Sequence, residues 1–362
     1  MFLVIKRMCA FTLITLVVLQ GKAQDIHFTN FRMAPVSVSP ALTGSFKGTY
    51  RISAIYRDQW RSVQNSSPYK TPFISAEVNL FGGVLLPNDW ISGAISFVSD
   101  RTGSLNYKRQ LTNLNVGYHI GFDNEYSGVF SIGASYGSGT EGFNTLNVST
   151  PSSLENNGVV RENFGADQEG NVDKTYSDLS IGIAYKAQMN DQGDLFRITL
   201  TGAHLTAPNV SLLGGGRIVD PMNPNPNPNP DPNAGREVGL QRRVTLMAEA
   251  SMLTTDKVRI NPAVLYQTKG GFNELALQGT ADYLLDPQKG TVVTGGLGYR
   301  MNDAFELIGG IQIKDLKFGI SYDLTTSSFT EAGGGAFELS VGYVGRIYKT
   351  PDVKPVIFCP RL

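Results

Sequence analysis

Residues 316–325 alternate without interruption. Leu316, Phe318, Ile320, Tyr322 and Leu324 share one parity; Lys317, Gly319, Ser321, Asp323 and Thr325 share the other. Successive side chains of a strand point to opposite faces, so the stretch predicts a strand with one apolar and one polar side. The same pattern recurs at 50–57, 71–80, 90–98, 107–121, 127–136, 176–187 and 195–204. It continues at 243–252, 257–267, 273–283, 291–300, 304–313 and 336–345, which makes fourteen predicted strands. Most lie near the ~9–11 residues with which a tilted strand crosses a bilayer.

The second parity is small or polar again and again. Ser131, Gly133 and Ser135 alternate with Ile132, Ala134 and Tyr136, and Arg197, Thr199 and Thr201 alternate with Phe196, Ile198 and Leu200. A soluble sandwich alternates too, but so many strands with almost no helical period favour one closed sheet. The fold class expected is all-β: a transmembrane antiparallel up-and-down barrel of about fourteen strands over residues 50–345, with apolar side chains toward lipid. Trp90, Phe122, Tyr126, Tyr176, Tyr283, Phe305 and Tyr343 lie near predicted strand ends, where interfacial girdles are expected.

Connection lengths give the barrel an orientation. Two predicted connections are long, 137–175 and 205–242, and two strands separate them, so both leave by one rim. The short ones at 190–194, 254–256 and 314–315 fall on the other rim. Outer-membrane barrels keep short turns periplasmic and long loops outside. The second long connection carries NPNPNPNPDPN at 223–233, whose alternate prolines favour an extended, solvated chain rather than a central strand.

The chain begins with an export signal. Lys6 and Arg7 precede an apolar run of about eleven residues at 9–19, and Gly21 and Ala23 stand at −3 and −1 of a cleavage site before Gln24. That run is too short for a helical span. The division expected is therefore 1–23 signal, 24–49 N-terminal periplasmic or plug segment, 50–345 barrel and 346–362 periplasmic C-terminal tail. Without the signal the chain carries 28 basic and 31 acidic groups, with no basic field for nucleic acid. Cys359 is then its single cysteine, so no internal disulfide framework is expected.

Candidate chemistry is sparse. Gly133-Ala134-Ser135-Tyr136-Gly137 reads G-x-S-x-G, but a nucleophile elbow needs a helix after the strand, and here a Gly/Ser/Thr-rich stretch follows. His27, His119 and His204 lack metal-ligand spacing. In 167–173, DQEGNVD, the glycine is fourth rather than sixth as in an EF-hand loop. No catalytic, cofactor or metal residues are assigned, and no enzymatic activity is expected.

Several segments, in order, resemble the PorP/SprF family of outer-membrane proteins of the type IX secretion system. QDIHFTNF at 24–31 is similar to the family's opening. Ser39-Pro40-Ala41-Leu42-Thr43-Gly44 is similar to its N-P-A-x-x-G box, with Ser39 in place of Asn. YRDQW, with Tyr56, Arg57 and Trp60, resembles the first strand and loop. AHLTAPN, with His204, Pro208 and Asn209, resembles a His-Leu…Pro-Asn box. GISYDLTTS, with Tyr322 and Asp323, and FELSVGY, with Glu338, resemble the closing hairpin, where Phe337 stands in place of an expected His. FCPRL, with Cys359 and Pro360, resembles the common ending.

The resemblance implies a non-enzymatic outer-membrane barrel that supports export and surface anchoring of cargo in secretion or gliding. Its implied partners are membrane lipid, periplasmic ring components and a secreted adhesin with a type B C-terminal signal. The quoted residues are implied structural or partner-docking positions. A solute channel, either a porin or a fatty-acid transporter type, is the alternative.

Overall fold

The computed structural model describes residues 26–61, 68–102, 107–144, 171–211, 239–326 and 335–347. Among them are fourteen strands. They are β1 (Tyr50–Gln59), β2 (Tyr69–Gly82), β3 (Asp89–Thr102), β4 (Tyr107–Gly121), β5 (Gly128–Asn144), β6 (Asn171–Gln188) and β7 (Leu195–Ala203), then β8 (Arg243–Thr255), β9 (Val258–Lys269), β10 (Phe272–Asp286), β11 (Thr291–Arg300), β12 (Ala304–Ile313), β13 (Leu316–Thr325) and β14 (Ala336–Gly345). Each pairs antiparallel with its sequence neighbours, and β1 pairs with β14 to close the ring. Closure leaves no edge strand, so every ladder is satisfied within the sheet, as hydrocarbon requires.

Burial is inverted relative to a soluble protein. Ile74, Leu114, Ile132, Ile181, Leu246, Leu297, Ile320 and Leu339 are exposed on the outside. Ser53, Ser75, Ser92, Asn115, Ser131, Thr201, Thr245 and Ser321 are buried on the inside. An apolar exterior around the whole circumference suits acyl chains rather than water. Among the described residues no helix is long and apolar enough to cross a membrane.

Two strands run further than their composition suggests. β5 continues past Tyr136 to Asn144, and β6 begins at Asn171, not at Tyr176. The glycines at 137, 139 and 142 read as a loop, yet they stay in register with β6. At 17 and 18 residues these strands exceed the ~9–11 needed to span, and the β5–β6 hairpin projects beyond the rim. The connection of residues 223–233 lies outside the described residues.

Four of the seven girdle aromatics, Phe122, Tyr283, Phe305 and Tyr343, are exposed on the outer surface. Tyr126, in the connection before β5, is exposed but packs edge-on against Trp90, ring centroids 5.6 Å apart, and over the inward face of Gly121. The other two correct the expectation. Trp90 has the parity of the buried Ser92 and stacks on the fully buried His119, with ring centroids 4.6 Å apart. Tyr176 is buried, and its hydroxyl meets Glu141 and Arg109 at 3.2 and 3.4 Å. Proximity to a strand end places an aromatic at membrane depth, but parity decides which face it takes.

Residues 26–48 occupy the interior. They form a 3-10 turn (Phe31–Met33), one turn of α-helix (Pro35–Val38) and a second 3-10 turn (Pro40–Leu42). Phe31, Val38, Ala41 and Leu42 pack with Ala184, Met247, Ala263, Leu265 and Ala276 of the wall. Phe28, Met33, Ala34 and Val36 pack with Ile55, Phe73 and Val98. The apolar core of the molecule thus lies between this segment and the barrel wall.

Candidate functional site

The inner segment is held at three levels. The first is a cluster of charged groups near the rim of the long connections, where β1 ends and β14 begins. Arg57 of β1 donates through Nη1 to Glu338 Oε1 at 2.5 Å and through Nη2 to Asp323 Oδ2 at 3.0 Å. Glu338 accepts the backbone N–H groups of Thr29 and Asn30 at 2.8 and 3.0 Å. The Thr29 hydroxyl donates to Asp323 Oδ1 at 2.6 Å and accepts from Arg57 at 3.0 Å. Arg300 joins Asp323, Glu306 and Asp303 at 2.8, 3.1 and 2.6 Å. Gln278 Nε2 bridges Glu306 Oε2 and the Thr29 carbonyl, both at 2.7 Å.

Apart from the half-buried Asp303, these side chains are almost wholly removed from solvent, with Glu306 and Glu338 at 1% exposure and Arg300 at 3%. Buried charges persist when they are paired and hydrogen-bonded. Here the partners come from six strands, β1 and β10 to β14, and the inner segment at once. Just upstream, burial holds the His27 imidazole below its ordinary pKa, although Glu274 lies 3.7 Å from Nδ1.

The second level is a row of glycines. Gly117, Gly133 and Gly182 face one another across β4, β5 and β6 on the inner surface. Ser39, Pro40 and Thr43 lie directly against them. A Cβ at Gly133 would collide with the Pro40 carbonyl, one at Gly182 with the Ser39 hydroxyl and one at Gly117 with the Thr43 carbonyl. The Ser39 hydroxyl accepts the Ala41 N–H at 3.2 Å and caps the second 3-10 turn. Asn and Ser are both good caps, so serine at this box position still performs the capping. His119 secures the end of the box, with Nε2 2.7 Å from the Thr43 carbonyl and Nδ1 2.7 Å from the Ser131 hydroxyl.

The third level lies near the short-turn rim. Gly44 has φ +74°, in the left-handed region that favours glycine, and a side chain there would strike Ser92. Its N–H donates to Glu77 Oε2 at 3.0 Å, and Arg51 holds Glu77 with bonds of 2.6 and 2.8 Å.

Arg57, Asp323 and Glu338 are therefore gathered in one cluster, while Pro40 and Gly44 sit at the two lower levels. The other sequence-derived positions lie elsewhere. Tyr56 and Tyr322 are exposed on the outer wall. Trp60 packs edge-on against Tyr69, ring centroids 4.9 Å apart, and its N–H donates to the Gly335 carbonyl at 3.0 Å. His204 pairs with Asp178 at 2.7 Å through Nδ1. The Pro208 carbonyl accepts from Leu240 N–H at 2.7 Å, and Asn209 bridges Gly239. Ser135 stands on β5 opposite Ser180, with β6 between it and His204. Cys359 and Pro360 lie outside the described residues.

Thr29, Gln278, Arg300 and Glu306 escaped the sequence reading. One signal was present: Ala-Phe-Glu-Leu opens both β12 (304–307) and β14 (336–339). In both copies the Ala and Glu are buried, and Phe has the outward parity.

A family model described as the type IX secretion system membrane protein PorP/SprF matches residues 20–343. The chain belongs to the PorP/SprF family. No curated protein sequence matches it. Among solved structures, the barrel is similar to the Ralstonia pickettii toluene transporter TbuX at TM-score 0.50 and 11% identity, covering 91% of this chain and 96% of that one. The CymD monoaromatic hydrocarbon channel follows at TM-score 0.49 and 11% identity, with coverage of 91% and 95%. A Pseudomonas aeruginosa FadL homologue follows at 0.44 and 9%, with 84% and 92%. The likeness to TbuX is one of fold. The PorP/SprF protein described here is an outer-membrane β-barrel of the type IX secretion system.

Proposed function

We propose that this protein is a non-enzymatic platform that supports export and surface anchoring of cargo, such as large adhesins carrying a type B C-terminal signal. The observation that supports this reading is the occupied interior. Residues 26–48 run from the Arg57 cluster near one rim to Glu77 near the other and are hydrogen-bonded at both ends. A conduit for diffusing solutes gains nothing from buried ion pairs that fix a segment in its path. A rigid edge-free barrel in lipid, by contrast, offers two fixed rims on which partners can dock. In this reading the short-turn rim and residues 346–362 meet periplasmic ring components, and the long connections face the cargo.

The solute-channel reading has the TbuX-like fold in its favour. Deleting the gene and complementing it in trans distinguishes the two. The platform reading expects loss of surface adhesin, assayed by protease shaving of whole cells, with uptake of small solutes unchanged. Full adhesin display together with a solute-uptake defect would contradict it.

A further inference from the structure

A cavity of about 180 Å³ lies between the inner segment and the wall, in the half of the barrel next to the short turns. Six charged side chains line it: Arg32, Lys186, Arg197 and Lys317, against Glu249 and Asp282. Both carboxylates are already engaged. Glu249 accepts from Arg197 Nη1 at 2.8 Å and has Arg32 Nε at 3.6 Å. Asp282 accepts from Asn261 Nδ2 and from the Thr294 hydroxyl, at 2.8 and 2.6 Å. The two lysines differ. Among the described residues neither ammonium has a hydrogen-bond or ion-pair partner. Both are only partly exposed. Lys186 is on β6 and Lys317 on β13, seven strands apart in a ring of fourteen, so they face each other across the lumen.

We infer that this cavity binds a small oxyanion, the chemistry shared by a phosphate and a carboxylate, entering from the short-turn rim. The lining carries a net charge of +2 when all six groups are ionised. Like charges in a confined, partly desolvated space repel more strongly than in bulk water. An anion removes that repulsion and supplies acceptors for ammonium groups that have none. Lys and Arg together make a recognisable donor set, a mobile point charge beside a fixed planar fork. Because Arg32 belongs to the inner segment and both lysines to the wall, a bound anion also ties the segment to the barrel. Arg32 is itself anchored for this task, donating to the Thr280 hydroxyl at 2.8 Å and to the Asn261 carbonyl at 2.7 Å.

The test is titration of the detergent-solubilised full chain with inorganic phosphate, followed by 31P line broadening and by calorimetry, with acetate as the carboxylate arm. Saturable binding of either anion is expected. It should weaken at least tenfold in the double variant Lys186→Gln, Lys317→Gln and persist in Lys186→Arg, Lys317→Arg. Removing two unpaired cations leaves the ladders untouched, so heat-modifiable migration on gels should show the Gln variant still folded. If that variant does not fold, the Arg variant and the salt dependence of wild-type binding carry the test. Absence of saturable binding of both anions overturns the proposal, as does equal affinity in the folded Gln variant.

Discussion

Arg57 and Glu338 stand directly opposite each other in β1 and β14, and their side chains meet inside the barrel at 2.5 Å. The pair lies on the seam where the first strand closes on the last. Glu338 also receives two backbone N–H groups of the inner segment. One carboxylate thus couples ring closure to occupation of the lumen.

Glu338→Ala should therefore be among the most destabilising single changes. It strips acceptors from Thr29 and Asn30 and leaves Arg57 buried with one partner fewer. Breaking a buried pair in this way costs roughly 3–5 kcal/mol. Thermal unfolding in detergent should show a large fall. The double variant Arg57→Met, Glu338→Leu should lose less than the two single changes added together, as expected of residues in direct contact.

Gly133→Ala should displace the inner segment without disturbing the sheet. Its Cβ would meet the carbonyl of Pro40, and such overpacking typically costs ~1–3 kcal/mol. Gly279→Ala is the matched control, since a Cβ there meets nothing within 4 Å. Limited proteolysis of residues 26–48 should accelerate in the first variant only. Equal protection in both would show that the glycine row is not a seat.

The barrel was legible because its determinants are local. At 316–325 alternation alone places Ser321 and Asp323 inside and Ile320 and Tyr322 outside, as the structure has them. The glycine row was not legible, because Gly117, Gly133 and Gly182 become neighbours only through the register of three strands. Composition misled at 137–142, where Gly, Ser and Thr suggest a loop. Gly139 is small because the Tyr176 ring lies over it. Arg57, Asp323 and Glu338 stood out as charged residues within quoted motifs. Arg300 lies outside them; Asp303 and Glu306 follow it closely in the chain, but Asp323 reaches it only through the pairing of β11, β12 and β13.

Mild acid should loosen the start of the inner segment. Burial lowers the His27 pKa from its ordinary 6.5. A basic group with a depressed pKa favours the docked state while neutral. As pH falls below about 6.5, the undocked form takes up a proton first, and docking weakens until the docked imidazole itself titrates. Hydrogen exchange over residues 26–34 should be faster at pH 5.5 than at pH 7.5, and His27→Gln should remove most of that difference. Slower exchange at the lower pH would reverse the sign and contradict the assignment.

Deleting residues 355–362 should abolish display of the adhesin while the barrel remains inserted and heat-modifiable. A truncated chain that supports normal display would remove the tail from any docking role.

The central claim is that the interior is filled by residues 26–48 rather than open. Single-channel recording in planar bilayers addresses it most directly. The purified wild-type protein should be electrically silent, and a variant lacking residues 26–44 should conduct in uniform steps. Stable, ohmic openings of fixed size from the wild-type barrel would contradict the claim.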